Sequence, residues 1–168
     1  MEDKQISELI SAPKKIIKNP KKETKLIQGS YRNDFELALI DNTKVTFKVH
    51  LRKNKKFSEN FSVILSYFAP ELNKDIFLVR YNGSHGIHKN KIIDDEVLGS
   101  FHIHKATSEA LREGYNAECW AFESNDYKTF EEAVTRFWQD MNIQDDINKF
   151  FGDYKVVQLF LFEEQESR

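Results

Sequence analysis

The chain has 168 residues, 40% of them apolar and 14 of them Phe, enough for one domain with a sizeable core. No run approaches the roughly eighteen consecutive apolar residues of a membrane span, and the opening MEDKQISELISAPKK lacks the apolar stretch of a secretory signal, so no membrane association is expected. A single cysteine, Cys119, excludes an internal disulfide and fits a reducing cytoplasm. The formal net charge of −2 hides a split: residues 1–56 hold 14 Lys/Arg against 7 Asp/Glu, and the remainder holds 11 against 20. Such a division marks either an anionic partner for the basic half or two halves that face each other.

In chain order, residues 3–12 read as a short helix with Ile6, Leu9 and Ile10 on one side, interrupted by Pro13. The segment KKIIKNPKKETK carries six lysines and one acid and reads as an exposed connection anchored by Ile16 and Ile17. Two strands follow. Phe35, Leu37 and Leu39 alternate in Tyr31–Asp41, and Val45, Phe47, Val49 and Leu51 alternate in Thr43–Arg52. A three-residue loop, Asp41-Asn42-Thr43, puts both apolar faces on one side, with Asn42 taking the positive φ. That register sets Glu36 opposite Lys48 and Asp34 opposite His50, as cross-strand ion pairs.

Phe61–Phe68 is a third expected strand, Asp75–Asn82 a fourth, Leu98–Lys105 a fifth and Tyr115–Glu123 a sixth. In the fifth, Phe101 and Ile103 enter the core while His102 and His104 face away. Thr107 or Ser108 caps a short helix that stops at Gly114. The spacing of Phe130, Ala133, Val134, Phe137, Trp138 and Met141 predicts a helix over 130–141, opened by a Thr129/Glu132 capping box. A turn around Ile147–Phe151, an apolar strand or helix over Lys155–Phe162 and an acidic tail close the chain. Strands followed by helices, without β-α alternation, give an α+β class. The expectation is one domain with a mainly antiparallel sheet of five to six strands. A short N-terminal helix and an amphipathic C-terminal helix pack on it. Within 1–168, residues 1–25 form the basic helix and connection, 26–123 the sheet, and 124–168 the helical and C-terminal part.

Four of the five histidines, His85, His88, His102 and His104, fall within twenty residues. On a strand, the two rings of an H-x-H share a face. Histidine is the side chain most able to exchange a proton near neutral pH and the commonest metal ligand. The blocks ENFSVILSYF, FLVRYNGSHGIHKN, FHIHKATSEALREG and YKTFEEAVTRF, in this order and spacing, resemble a family of bacterial proteins of similar length with no established activity. The match spans about Pro13 to Ile143. Residues 78–104 more distantly resemble TumE-type toxins of toxin–antitoxin modules, which also place an arginine-aromatic-Asn/Asp triplet at a strand end before histidines and an H-x-H-like element. The long N-terminal part departs from those compact toxins.

Three functions compete. The first, which the toxin resemblance also implies, is a bacterial defence or toxin–antitoxin protein that binds or cleaves RNA without a metal. His102 and His104, with His85 and His88, supply acid and base. Arg80 clamps phosphate, Tyr81 stacks on a base, Asn82 completes the triplet, and Lys48 and Arg52 extend the cationic surface. The second is a zinc or other divalent-metal enzyme. Its ligands are His102 and His104, with His85 or His88 as third and Asp94, Asp95 or Glu96 as fourth. The third is a binding module or inhibitor of a nuclease or other defence protein, contacting its cognate partner through the acidic half or 155–162. Against all three stands a purely structural role for the histidines, with Arg80 paired to Asp75 or Asp94. Cys119 reads as buried and inert.

Overall fold

The computed structural model describes residues 1–85, 100–114 and 120–151, and the backbone of 87–90 and 95–98. The class is α+β: helix α1 (Asp3–Ser11), strands β1 (Lys14–Lys18), β2 (Lys25–Ile27), β3 (Ser30–Leu39), β4 (Thr46–Asn54), β5 (Phe61–Ala69) and β6 (Lys74–Asn82), then β7 (Ile87–Asn90), β8 (Asp95–Leu98) and β9 (His102–Lys105), and finally α2 (Ser108–Arg112), β10 (Ala121–Glu123) and α3 (Phe130–Asp140). The main sheet has eight strands in the order β1-β3-β4-β5-β6-β9-β10, with β2 also on β3, and every pairing is antiparallel. The expected count of five to six is therefore too low. The lysine-rich connection supplies the missing edge, because KKIIK lies along Glu36–Leu39 as β1 and Lys25–Ile27 lies along Ser30–Arg32 as β2. Lysines on an outer strand discourage pairing with another chain.

The β3–β4 register is the expected one, with Glu36 opposite Lys48 and Asp34 opposite His50. The loop differs. Asn42 is not among the positive-φ residues; its carbonyl accepts from Val45 N at 3.0 Å and its side chain from Lys44 N at 3.3 Å. That Asx-type closure turns the chain without a left-handed residue.

Odd-numbered residues of β3, β4 and β5 face a core that includes Phe35, Leu37, Phe47, Val49, Leu51, Phe61, Val63 and Leu65. Helix α3 covers this face with Ala133, Val134, Phe137 and Trp138, and α1 adds Ile6 and Ile10. The Thr129/Glu132 capping box is formed, and Thr107 caps α2 through Ala110 N. Lys14, on β1, is fully buried and ties the ends of α1 and α3 together. Its Nζ donates to Ile10 O at 2.6 Å, Ala12 O at 2.8 Å and Met141 O at 3.1 Å. The basic and acidic halves meet at Lys53, whose Nζ donates to Glu131 at 2.7 Å.

The expected strand 98–105 divides. Asp95–Leu98 pairs with Ile87–Asn90 in a separate two-stranded sheet, and only His102–Lys105 joins β6. The chain leaves the main sheet after Asn82, contributes these two strands to the separate sheet and returns opposite the strand it left. Of the expected sixth strand, Ala121–Glu123 pairs with β9. The rest of it, with Cys119, and the 155–162 segment with its acidic tail lie outside the described residues. No helix among the described residues is long and apolar enough to cross a membrane.

Candidate functional site

Pairing in the sheet decides which polar residues meet. Arg80 lies opposite His104 and Asn82 opposite His102 on β6 and β9. All four point to the face away from α3, since their neighbours Tyr81 and Ile103 enter the core. Arg80 Nε donates to Asn82 Oδ1 at 2.9 Å. The Asn82 amide lies 3.2 Å from His102 Nε2, and His102 Nδ1 lies 2.8 Å from the Ser100 carbonyl. A carbonyl can only accept, so Nδ1 carries the ring proton and Nε2 accepts from the amide. The result is a directional relay, Arg80 to Asn82 to His102 to Ser100, with His102 neutral. Burial pushes the His102 imidazolium below its ordinary range and the Arg80 charge adds to this, while the Ser100 carbonyl opposes both.

Three histidine rings stand in series. His104 and His102 have centroids 5.0 Å apart, and His102 and His85 5.5 Å apart. The inner two are each 2% exposed, whereas His85 faces solvent. The expectation that His102 and His104 lie on the face opposite the core holds, but that face is buried there. The His88 side chain lies outside the described residues, as do those of Asp94, Asp95 and Glu96. Tyr127 fixes the strand ends beneath the relay: its hydroxyl lies 3.0 Å from Asn82 O and 2.8 Å from His102 O. Sequence reading gave Tyr127 no role of its own: it opens the block YKTFEEAVTRF, but no periodicity ties it to the distant strand ends it bonds.

Tyr81 needs correcting. It is 3% exposed, packs against Tyr127 and Phe137, and donates its hydroxyl to Asp140. Strand alternation sends it to the opposite face from Arg80 and Asn82, so its ring has no face to offer a base. Lys48 and Arg52 share the face of the histidines but not their neighbourhood. Three strand steps, about 14 Å, separate Arg52 from His102 through Ser62 and Asn82. Arg52 is committed to Asp34 at 2.5 Å. Burial raises the Asp34 carboxyl, but Arg52 and His50 outweigh it and hold the group below its ordinary value. Asp75, five residues back along β6 and about 16 Å from Arg80, is too far away to be its partner.

His50, the fifth histidine, bridges Asp34 at 3.2 Å and Ser66 at 3.1 Å. The connectivity is that of a Ser-His-Asp relay. Ser66, however, is 2% exposed and also bonded to Lys48 O, and Asp34 is shared with Arg52. We assign this group to holding β3, β4 and β5 in register.

Among the described residues no three His, Cys, Asp or Glu side chains are grouped to hold a metal ion. Both ring nitrogens of His102 are engaged, so metal ligation would require breaking one of these bonds. Comparison with protein-family models, with curated proteins and with solved structures found no match.

Proposed function

We propose that this chain binds single-stranded RNA and cleaves it at the end of the sheet where His85 stands before His102, in the setting of bacterial defence or toxin–antitoxin systems that the sequence resemblance suggests. The observation that carries the reading is the Arg80–Asn82–His102 relay running up to a solvent-facing His85. The proposed chemistry is strand cleavage through the 2′-hydroxyl. His85 takes the hydroxyl proton, the 2′-oxygen attacks phosphorus, and the 5′-oxygen leaves with a proton from water, giving a 2′,3′-cyclic phosphate. Arg80 supplies positive charge two residues from the strand end. Buried His102 and His104 act as positioning residues, fixing the wall behind His85.

The test is incubation of an end-labelled oligoribonucleotide with the full chain in the presence of a chelator. Cleavage is expected to leave cyclic phosphate, to spare the 2′-deoxy counterpart, and to fall about 10²–10⁴-fold in His85→Ala. Equal cutting of the DNA strand, or no cutting of either, contradicts the reading.

A further inference from the structure

The relay leaves open what recognises the base, since Tyr81 is buried. Beside His85 lies an open cleft of about 450 Å³ whose walls include Lys56, Phe57, Glu59, Asn60, Ser84 and His85 itself. It is formed by the β4–β5 turn, NKKFSEN. Phe57 is 67% exposed, more than any other large apolar side chain among the described residues. A lone exposed apolar side chain is ordinary on a protein surface, but a ring that lines a cleft on a fixed backbone meets a ligand without first being ordered. Here the backbone is held. Asn54 Oδ1 accepts from Lys56 N at 2.8 Å and from Phe57 N at 3.1 Å, and Asn60 N donates to Phe57 O at 3.0 Å. Lys55 N donates to Gly29 O at 2.9 Å, and Asn54 N to Asn60 O at 2.8 Å.

The turn is also fixed relative to His85. Gly83, two residues before it, donates to Phe61 O at 3.1 Å, and a Cβ at position 83 would stand 1.8 Å from the Glu59 carbonyl oxygen. Only glycine allows this contact, so the turn and the segment leading to His85 meet backbone to backbone at Gly83 and Glu59, at the edge of the cleft.

From this geometry we infer that the β4–β5 turn is a nucleobase-stacking element: Phe57 stacks on one unpaired base, and Lys55 and Lys56 hold the adjoining phosphates. The ligand class is single-stranded RNA, because a base in a duplex has no free face to offer. The inference rests on the RNA reading above, but not on cleavage. Lys56 and Glu59 both line the cleft and Lys55 adjoins it in sequence, so the turn is net positive, and an aromatic ring beside that charge suits such a strand better than a protein partner, since stacking tolerates any base and lysines track the backbone.

The experiment is fluorescence anisotropy with a labelled, unstructured oligoribonucleotide, using the full chain, Phe57→Ala, Phe57→Trp, Lys56→Gln and His85→Ala. Phe57→Ala is expected to weaken binding about tenfold, with Phe57→Trp restoring it. Lys56→Gln should weaken binding less at high salt than at low salt. A duplex of the same sequence should bind without dependence on Phe57. Because the ring is exposed, melting temperatures of the Phe57 variants should match that of the parent. If the parent binds the strand and Phe57→Ala binds it equally, or if the parent does not bind it at all, the inference is overturned. If binding depends on Phe57 while no variant or parent cleaves, the stacking element stands and cleavage at His85 falls.

Discussion

Replacing Lys14 with Met isolates a buried ammonium that bonds three carbonyls. The ammonium has three N–H donors, and all three are used, on Ile10 O and Ala12 O at the end of α1 and on Met141 O at the end of α3. Methionine fills similar space but donates nothing, so three carbonyls lose their partner. The Ile10 and Met141 carbonyls are buried and each orphan there costs about 1–3 kcal/mol, the part-buried Ala12 carbonyl costs less, and relief from burying the charge offsets part of the sum. A net loss of about 3–5 kcal/mol follows, a fall in Tm of roughly 6–20 °C for a chain of this size. Urea unfolding of the two proteins, at unchanged m value, measures it directly. The same comparison has a pH signature. Burial lowers the Lys14 ammonium from 10.5 to about 8. Between those values the unfolded chain binds the extra proton, so stability rises with pH across that window, by up to about 3 kcal/mol. Lys14→Met should lack the rise. A loss below about 1 kcal/mol near neutrality, with no difference in pH slope, would refute the idea that Lys14 pins the two helices.

His102 has its folded pKa below the ordinary 6.5, so its neutral form contributes stability that is present above that value and lost as pH falls below it. His102→Gln should flatten the acid limb of a thermal-melt profile, and an unchanged limb would put the proton elsewhere. Phe47→Ala should cost about 3–5 kcal/mol with its cavity, since Phe47 is 1% exposed between β3 and β5; under 1 kcal/mol in urea melts would contradict that packing. With both His102 nitrogens occupied, a zinc titration is expected to leave Tm in place, and a rise of several degrees would show a metal site instead.

What the sequence made legible follows the strength of local patterning. The alternation from Val45 to Leu51 dictated the β3–β4 register, and Thr129 with the apolar stripe behind it dictated α3. The 14–18 segment was misread because its lysines look solvated, yet one of them is fully buried on carbonyls that only the tertiary fold assembles. Eight residues of apparent strand at 98–105 concealed a change of sheet, which no alternation reveals. At the site, strand parity joined His102 with His104 from the sequence, whereas Arg80, Tyr81 and Asn82 were grouped as one triplet; parity in the sheet puts Arg80 and Asn82 on the histidine face and excludes Tyr81 from it. Phe57 escaped notice because a lone aromatic in a polar turn carries no periodic signal; its meaning comes from Gly83 and His85, more than twenty residues away.

Histidine ring NMR during titration with an unstructured oligoribonucleotide tests the central claim most directly, because His50 sits on the same sheet face as an internal control, tied to Asp34 and Ser66. The account predicts saturable shifts of the His85 ring, smaller ones at His102, and a still His50. Shifts confined to His50, or no ring responding at saturating RNA, would contradict it.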